Sequence, residues 1–260
     1  MNSIENSHDA IISRLSQDTL RDIEGLDPSQ FGFGRSECCG PVPEKLPGSM
    51  KFSEHIFLAT DLPATQWKPH TENVEGYSAM ESAVKAEGEG MKLTVYHRPG
   101  PDACVLRFKY NESLQSILIT QYNCITEGEL PWNSKGSISC DRSNETFVFV
   151  CSHRSRDDRC GYCGAVLVDL LRQSIKAKKN NDESIHVYPC SHVGGHIYAG
   201  NVLVYTKKGG VCFGCFTPAD VDTLVDFLVN GGSGSIPSSL ASRIRGSIGF
   251  TENNSKCSLM

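Results

Sequence analysis

No run of apolar residues in this 260-residue chain approaches the roughly 20 needed to cross a bilayer as a helix, so no transmembrane segment is expected. A basic surplus is missing as well. Twenty-five Lys and Arg against 30 Asp and Glu leave a formal net charge of −5, which provides no general pull toward nucleic acid. The first 25 residues lack both kinds of leader: Glu5, Asp9, Asp18, Asp22 and Glu24 stand against only Arg14 and Arg21. A transit peptide is poor in acids and a signal peptide needs an apolar middle, so a cytoplasmic location is expected. Without a secretion signal, the 12 cysteines are expected to be reduced thiols, either buried or metal-bound. Cys104 and Cys140 read as small buried hydrophobes. Carboxylates arranged for glycoside hydrolysis are also missing, since the adjacent pair Asp157 and Asp158 does not suggest a hydrolase.

What is present is an ordinary globular composition, 39% hydrophobic, enough for one large domain or two small ones. Asp9 to Ile23 has loosely helical apolar spacing. A strand is predicted at His55 to Ala59, a helix near Ser78 to Ala86, and strands over 92–97, 103–109 and 114–121. The polar segment 126–136 makes a boundary. Beyond it, the β-branched and aromatic run Thr146 to Val150 predicts a strand with Cys151 at its end. A helix follows through Ile175, with Lys176, Lys178 and Lys179 where its dipole favours cations. Strands over 184–188, 201–206 and 210–216 come next, then a helix capped by Thr217-Pro218. The expected fold class is therefore α/β. Residues 137–234 form a β-loop-α-β-β-β-α unit of the order seen in thioredoxin-like sheets. Residues 1–130 form an N-terminal α/β region that reads as a degenerate repeat of it, and 235–260 form an extension and flexible tail.

Two segments carry metal-ligand chemistry. One is Cys151-Ser-His-Arg-Ser-Arg-Asp-Asp-Arg-Cys160-Gly161, and the other is Ser191-His192-Val-Gly-Gly-His196-Ile-Tyr-Ala-Gly-Asn201. Thiolate and imidazole are preferred by iron and zinc, and four such groups can close one coordination sphere. Cys151 ends a strand and Cys160 opens a helix, where exposed N–H groups favour thiolate. The diglycine between His192 and His196 argues for a tight loop rather than a helix. Spacing alone leaves zinc and iron open. A Rieske-type reading of Cys151-Ser-His153 lacks its Cys-x-x-His partner.

These two segments resemble the signature of the sucrase/ferredoxin-like family, and the resemblance extends over about Thr146 to Gly249. It implies a C-terminal thioredoxin-like ferredoxin domain holding a [2Fe–2S] cluster with two Cys and two His. Carried over by position, the ligands are Cys151, Cys160, His192 and His196. The implied function is one-electron transfer between donor and acceptor proteins, with His192 and His196 tuning the potential and carrying protons. One departure is local: Cys212-Phe-Gly-Cys215 stands where an aromatic Trp-Tyr-Gly-type strand is expected. Two other readings compete, a zinc-binding structural or interaction module using some of the same residues and a dithiol oxidoreductase centred on Cys212 and Cys215. Positions three apart on a strand face opposite ways, which favours packing for that pair. Cys163 reads as a spare thiol or core, and Cys38-Cys39 as exposed thiols. Cys257-Ser-Leu-Met260 matches a prenylation pattern, and with no basic cluster beside it a lipidated Cys257 would tether the chain to a membrane only weakly.

Overall fold

The computed structural model describes residues 8–35, 46–100, 104–123, 129–179 and 183–250. Three short helices come first: α1 (His8–Ile12), α2 (Gln17–Asp22) and α3 (Pro28–Phe31). The single helix expected from Asp9 to Ile23 is broken because Ser16 acts as an N-cap. Its hydroxyl accepts from the Thr19 N–H at 3.3 Å, while its own N–H donates to Asp169 at 2.7 Å. The strands of the first half are β1 (Glu54–Thr60), β2 (Met91–His97), β3 (Val105–Asn111), β4 (Ser116–Tyr122) and β5 (Ser139–Asp141). Helix α4 (Tyr77–Glu87) bridges β1 to β2. The second half holds β6 (Thr146–Cys151), α5 (Asp158–Lys178), β7 (Ile185–Cys190), β8 (Val202–Tyr205), β9 (Gly210–Phe213), α6 (Val221–Val229) and β10 (Ile244–Ile248).

All ten strands belong to one sheet, in the order β10-β9-β8-β6-β7-β2-β1-β3-β4-β5. Each half uses the same pairing. Its first strand runs parallel to the strand beyond the helix and antiparallel to the next one, which continues outward antiparallel. Parallel neighbours need a crossover, and α4 and α5 supply it. The halves meet at β2 and β7, through the single pair Tyr96↔Cys190. β5 pairs with β4, so the sheet runs without a break past the polar segment 126–136.

β1 and β6 are separated by β7 and β2, and a flat sheet would set them about 14 Å apart. Yet the rings of Phe57 and Phe149 stack at 3.8 Å, and Phe108 lies 4.3 Å from Tyr205. The sheet therefore folds back across the β2–β7 seam, placing inner face on inner face. Alternation along β1 follows from this: Phe57 and Ala59 join the inner core, while Ile56 and Leu58 pack outward with Met80 and Val84 of α4. The Ile117 N–H donates to Lys207 O at 2.8 Å, closing the fold at the far side. One cysteine departs from its expected place. Cys140 lies on the short edge strand β5, whose three residues are all exposed, so it is no core hydrophobe. Among the described residues, no helix is long and apolar enough to cross a membrane.

Phe149→Ala should cost about 3–5 kcal/mol, since it removes a fully buried ring shared by both halves. Trp67 lies in the first half, and Trp132, inside the segment 126–136, packs against the same first-half cluster. Their fluorescence should lose structure at the same, lowered urea midpoint as the far-UV circular dichroism. A tryptophan transition left at the wild-type midpoint would show that the halves do not share a core.

Candidate metal centre

β6 and β7 run parallel with Cys151 paired to Cys190, so both strands deliver their following loops to the same end of the sheet. After β6 the chain turns at once: the Arg156 and Asp157 N–H groups both donate to His153 O at 3.1 Å. Asp157 then N-caps α5, accepting from the Arg159 N–H at 2.9 Å. Cys160 sits in the first turn. One turn later a β-carbon at Gly164 would lie 2.3 Å from Cys151 O, so only glycine lets the helix close against the strand end. That close approach brings the sulfurs together. The Cys151 and Cys160 sulfurs and a ring nitrogen of His192 all lie within 4.8 Å of one another.

His192 and His196 share a loop that reverses through Gly194 and Gly195, at φ 92° and 70°. Asn201 donates to Gly195 O at 3.1 Å, and Arg245 bonds Gly194 O at 2.9 Å and the Asn201 amide oxygen at 2.6 Å. Lys92 of β2 donates to Val193 O at 2.8 Å. The His196 ring centre is 5.6 Å from that of His192, and its Nε2 is 4.0 Å from an Asp157 carboxylate oxygen. Both cysteines are wholly buried, whereas the His196 side chain is 45% exposed. The expected residues thus gather at one end of the sheet. Three form a compact donor group, and the fourth stands at its solvent edge.

The Cys151 and Cys160 thiols are hydrogen-bonded to each other. The Cys151 thiol is held well below its usual range, first by a hydrogen bond from Cys160 and then by His192, while the same bond pushes Cys160 well up. For Asp157, burial pushes upward but the hydrogen bonds from Arg159 outweigh it and keep the carboxyl below the usual range. Arg159 meets Asp157 at 2.8 Å, and Arg154 binds Asp22 O at 3.0 Å and Glu24 O at 3.2 Å. These arginines thus have protein partners of their own. The His192 Nδ1 is buried with no hydrogen-bond partner among the described residues. A buried imidazole nitrogen without a partner, on a ring that approaches two thiols, suits a metal ligand. The donor set therefore fits a bound metal centre.

His153 is 1% exposed and does not ligate, because both its nitrogens are engaged. Nε2–H donates to Lys68 O at 3.0 Å, which leaves Nδ1 to accept the His192 backbone N–H at 3.3 Å. A loop of the first half thereby fixes the backbone of a candidate ligand. The sequence shows no sign of this, since the Lys68 carbonyl carries no side-chain signature. Lys92 did leave a trace: it shares the inward face of β2 with Thr94 and Tyr96, an unusual place for an ammonium. Cys163 is buried near the site with its sulfur 3.2 Å from the Arg35 guanidinium. Cys212 and Cys215 fall in separate core clusters, and Cys215 has left the strand at φ 51°. Cys38, Cys39 and Cys257 lie outside the described residues.

The model of the sucrase/ferredoxin-like family matches residues 46–244, which is most of the chain and includes both ligand segments. The chain belongs to the sucrase/ferredoxin-like family. Among its relatives is the Altered inheritance of mitochondria protein 32 of Meyerozyma guilliermondii, 37% identical over 89 residues, covering 34% of this chain and 31% of the relative. The protein of that name from Debaryomyces hansenii is 39% identical over 90 residues, covering 33% and 32%. Actin patches distal protein 1 of Saccharomyces cerevisiae is 35% identical over 92 residues, covering 32% and 29%. The matched stretches span about a third of these curated relatives. No solved structure matches this sucrase/ferredoxin-like chain.

His153→Leu should orphan the His192 N–H and the Lys68 carbonyl at a cost of about 1–3 kcal/mol. Metal affinity, measured by cobalt(II) titration against a chelator, should fall by about 10–100-fold. Unchanged affinity would remove His153 from the site.

Proposed function

We propose that this protein is a one-electron carrier holding a [2Fe–2S] cluster on Cys151, Cys160, His192 and His196. The observation that carries the reading is the convergence of Cys151, Cys160 and His192 within 4.8 Å, with the His192 Nδ1 buried and unpaired. Family membership supports it, because the two matched segments contain all four residues. The repeated strand pairing supports a thioredoxin-like unit at 137–234 and its degenerate copy within 1–130. The partners in this reading are donor and acceptor proteins, with no nucleic acid involved.

When bound, the cluster supplies one reversible electron. Replacing two thiolates by two neutral imidazoles leaves it less negative than an all-cysteine cluster, hence easier to reduce; Rieske centres, altered the same way, move from about −400 mV to between −150 and +300 mV. Cys151 and Cys160 would provide the thiolates from a buried floor. Any proton these sulfurs carry must leave on loading, so affinity rises with pH. The His192 backbone is fixed by His153, while the His196 ring stands at the solvent edge with its Nε2 4.0 Å from an Asp157 carboxylate oxygen.

Protein from an iron-replete host should be red-brown, with about two irons and two sulfides per chain. A colourless product with stoichiometric zinc would favour a structural metal module instead. His196→Cys should keep a cluster and lower its midpoint potential. If the potential and its pH dependence match the wild type, His196 is not a ligand.

A further inference from the structure

A cleft of about 540 Å3 opens between the first-half segments 48–52 and 90–92 and residues 193–195 of the histidine loop. Three cations line it, Lys51, Lys92 and Arg245, and no Asp or Glu does. Among the described residues, none of the three pairs with a carboxylate. Arg245 is 7% exposed; its Nε donates to Pro47 O at 3.3 Å and its Nη1 to Gly194 O and the Asn201 amide oxygen. Its Nη2 has no acceptor among the described residues. Lys92 uses one of its three N–H bonds on Val193 O, and Lys51 is exposed without a partner among the described residues. Gly194 and Gly195 add two adjacent backbone N–H groups that also lack an acceptor there.

The cleft is thus rich in free donors and has no negative charge of its own. Taking a cation out of water is unfavourable unless an opposite charge offsets it. Guanidinium and ammonium groups hold oxyanions by charge-assisted hydrogen bonds, and neighbouring backbone N–H groups at a turn add to such a cradle. Three cations suit the two charges of a phosphate monoester better than the single charge of a carboxylate. One wall is apolar: Phe52 and Met91 are half-buried, and the Lys92 Nζ lies 6.0 Å from the Phe52 ring centre. The volume is within the ~300–1,000 Å3 of clefts that hold organic ligands and exceeds what a bare phosphate fills. We propose that this cleft binds a small organic phosphate, its charged group held by Arg245, Lys92 and Lys51 and its body lying on Phe52 and Met91. The site uses none of the Cys and His donors, and the inference does not rest on the electron-transfer reading.

Calorimetric titration of phenyl phosphate into the full-length protein as purified, at an ionic strength held constant with sodium chloride, should show saturable one-to-one binding. Inorganic phosphate should bind more weakly, because it has no body to cover the apolar wall. Lys51→Glu changes an exposed position and places a carboxylate in the cleft, so it should weaken phenyl phosphate about 10-fold. Lys92→Met, which removes a charge but keeps an apolar stem, should weaken it similarly. Lys176→Met, an exposed change at the opposite end of α5, should bind as the wild type does. No saturable heat from the wild type, or wild-type affinity in a folded Lys51→Glu protein, would overturn the proposal. Equal affinity for inorganic and phenyl phosphate would overturn the organic ligand and exclude Phe52 and Met91 from the site.

Discussion

The stack of Phe57 on Phe149 is the contact on which the rest of the architecture depends. It joins residues from strands that a flat sheet would hold well apart, so the ten strands must fold over at the β2–β7 seam. That fold turns one large sheet into two leaves sharing an aromatic core. It also brings β2 of the first leaf against the loop that follows β7 of the second. The Lys92 bond to Val193 and the Ser191 N–H bond to Val95 O both cross this seam. The candidate centre is thus supported by both leaves, although its expected ligands all come from one.

Within that frame the site is assembled mostly by backbone geometry. Parallel pairing of β6 and β7 sets the two ligand-bearing loops side by side, and Gly164 lets α5 close on the end of β6. The side chains then divide the work by depth. Sulfur lies at the buried floor, His153 braces one wall, and the diglycine loop lies across the top under Arg245 and Asn201.

Much of this was legible in the sequence wherever the information is local. β1, α4, β2, β6, α5 and β7 all follow from runs and spacings inside single segments, within three residues of their expected limits. The two ligand segments were readable for the same reason, since their residues and glycines are contiguous. The failures came from contacts across the chain. The break between α1 and α2 depends on Ser16 finding Asp169, and the fold-back depends on rings 92 positions apart by number, 57 and 149. His153 could be set aside as a ligand, but its bracing role needs a carbonyl from the other half. Cys140 was misplaced because an edge strand of three residues has no pattern that distinguishes an inward side.

The four expected ligands are unevenly exposed. Both sulfurs are sealed inside, whereas the His196 side chain is 45% exposed. A group held by all four would therefore keep its sulfur side shielded by the end of β6 and the first turn of α5, and would turn its histidine side toward solvent.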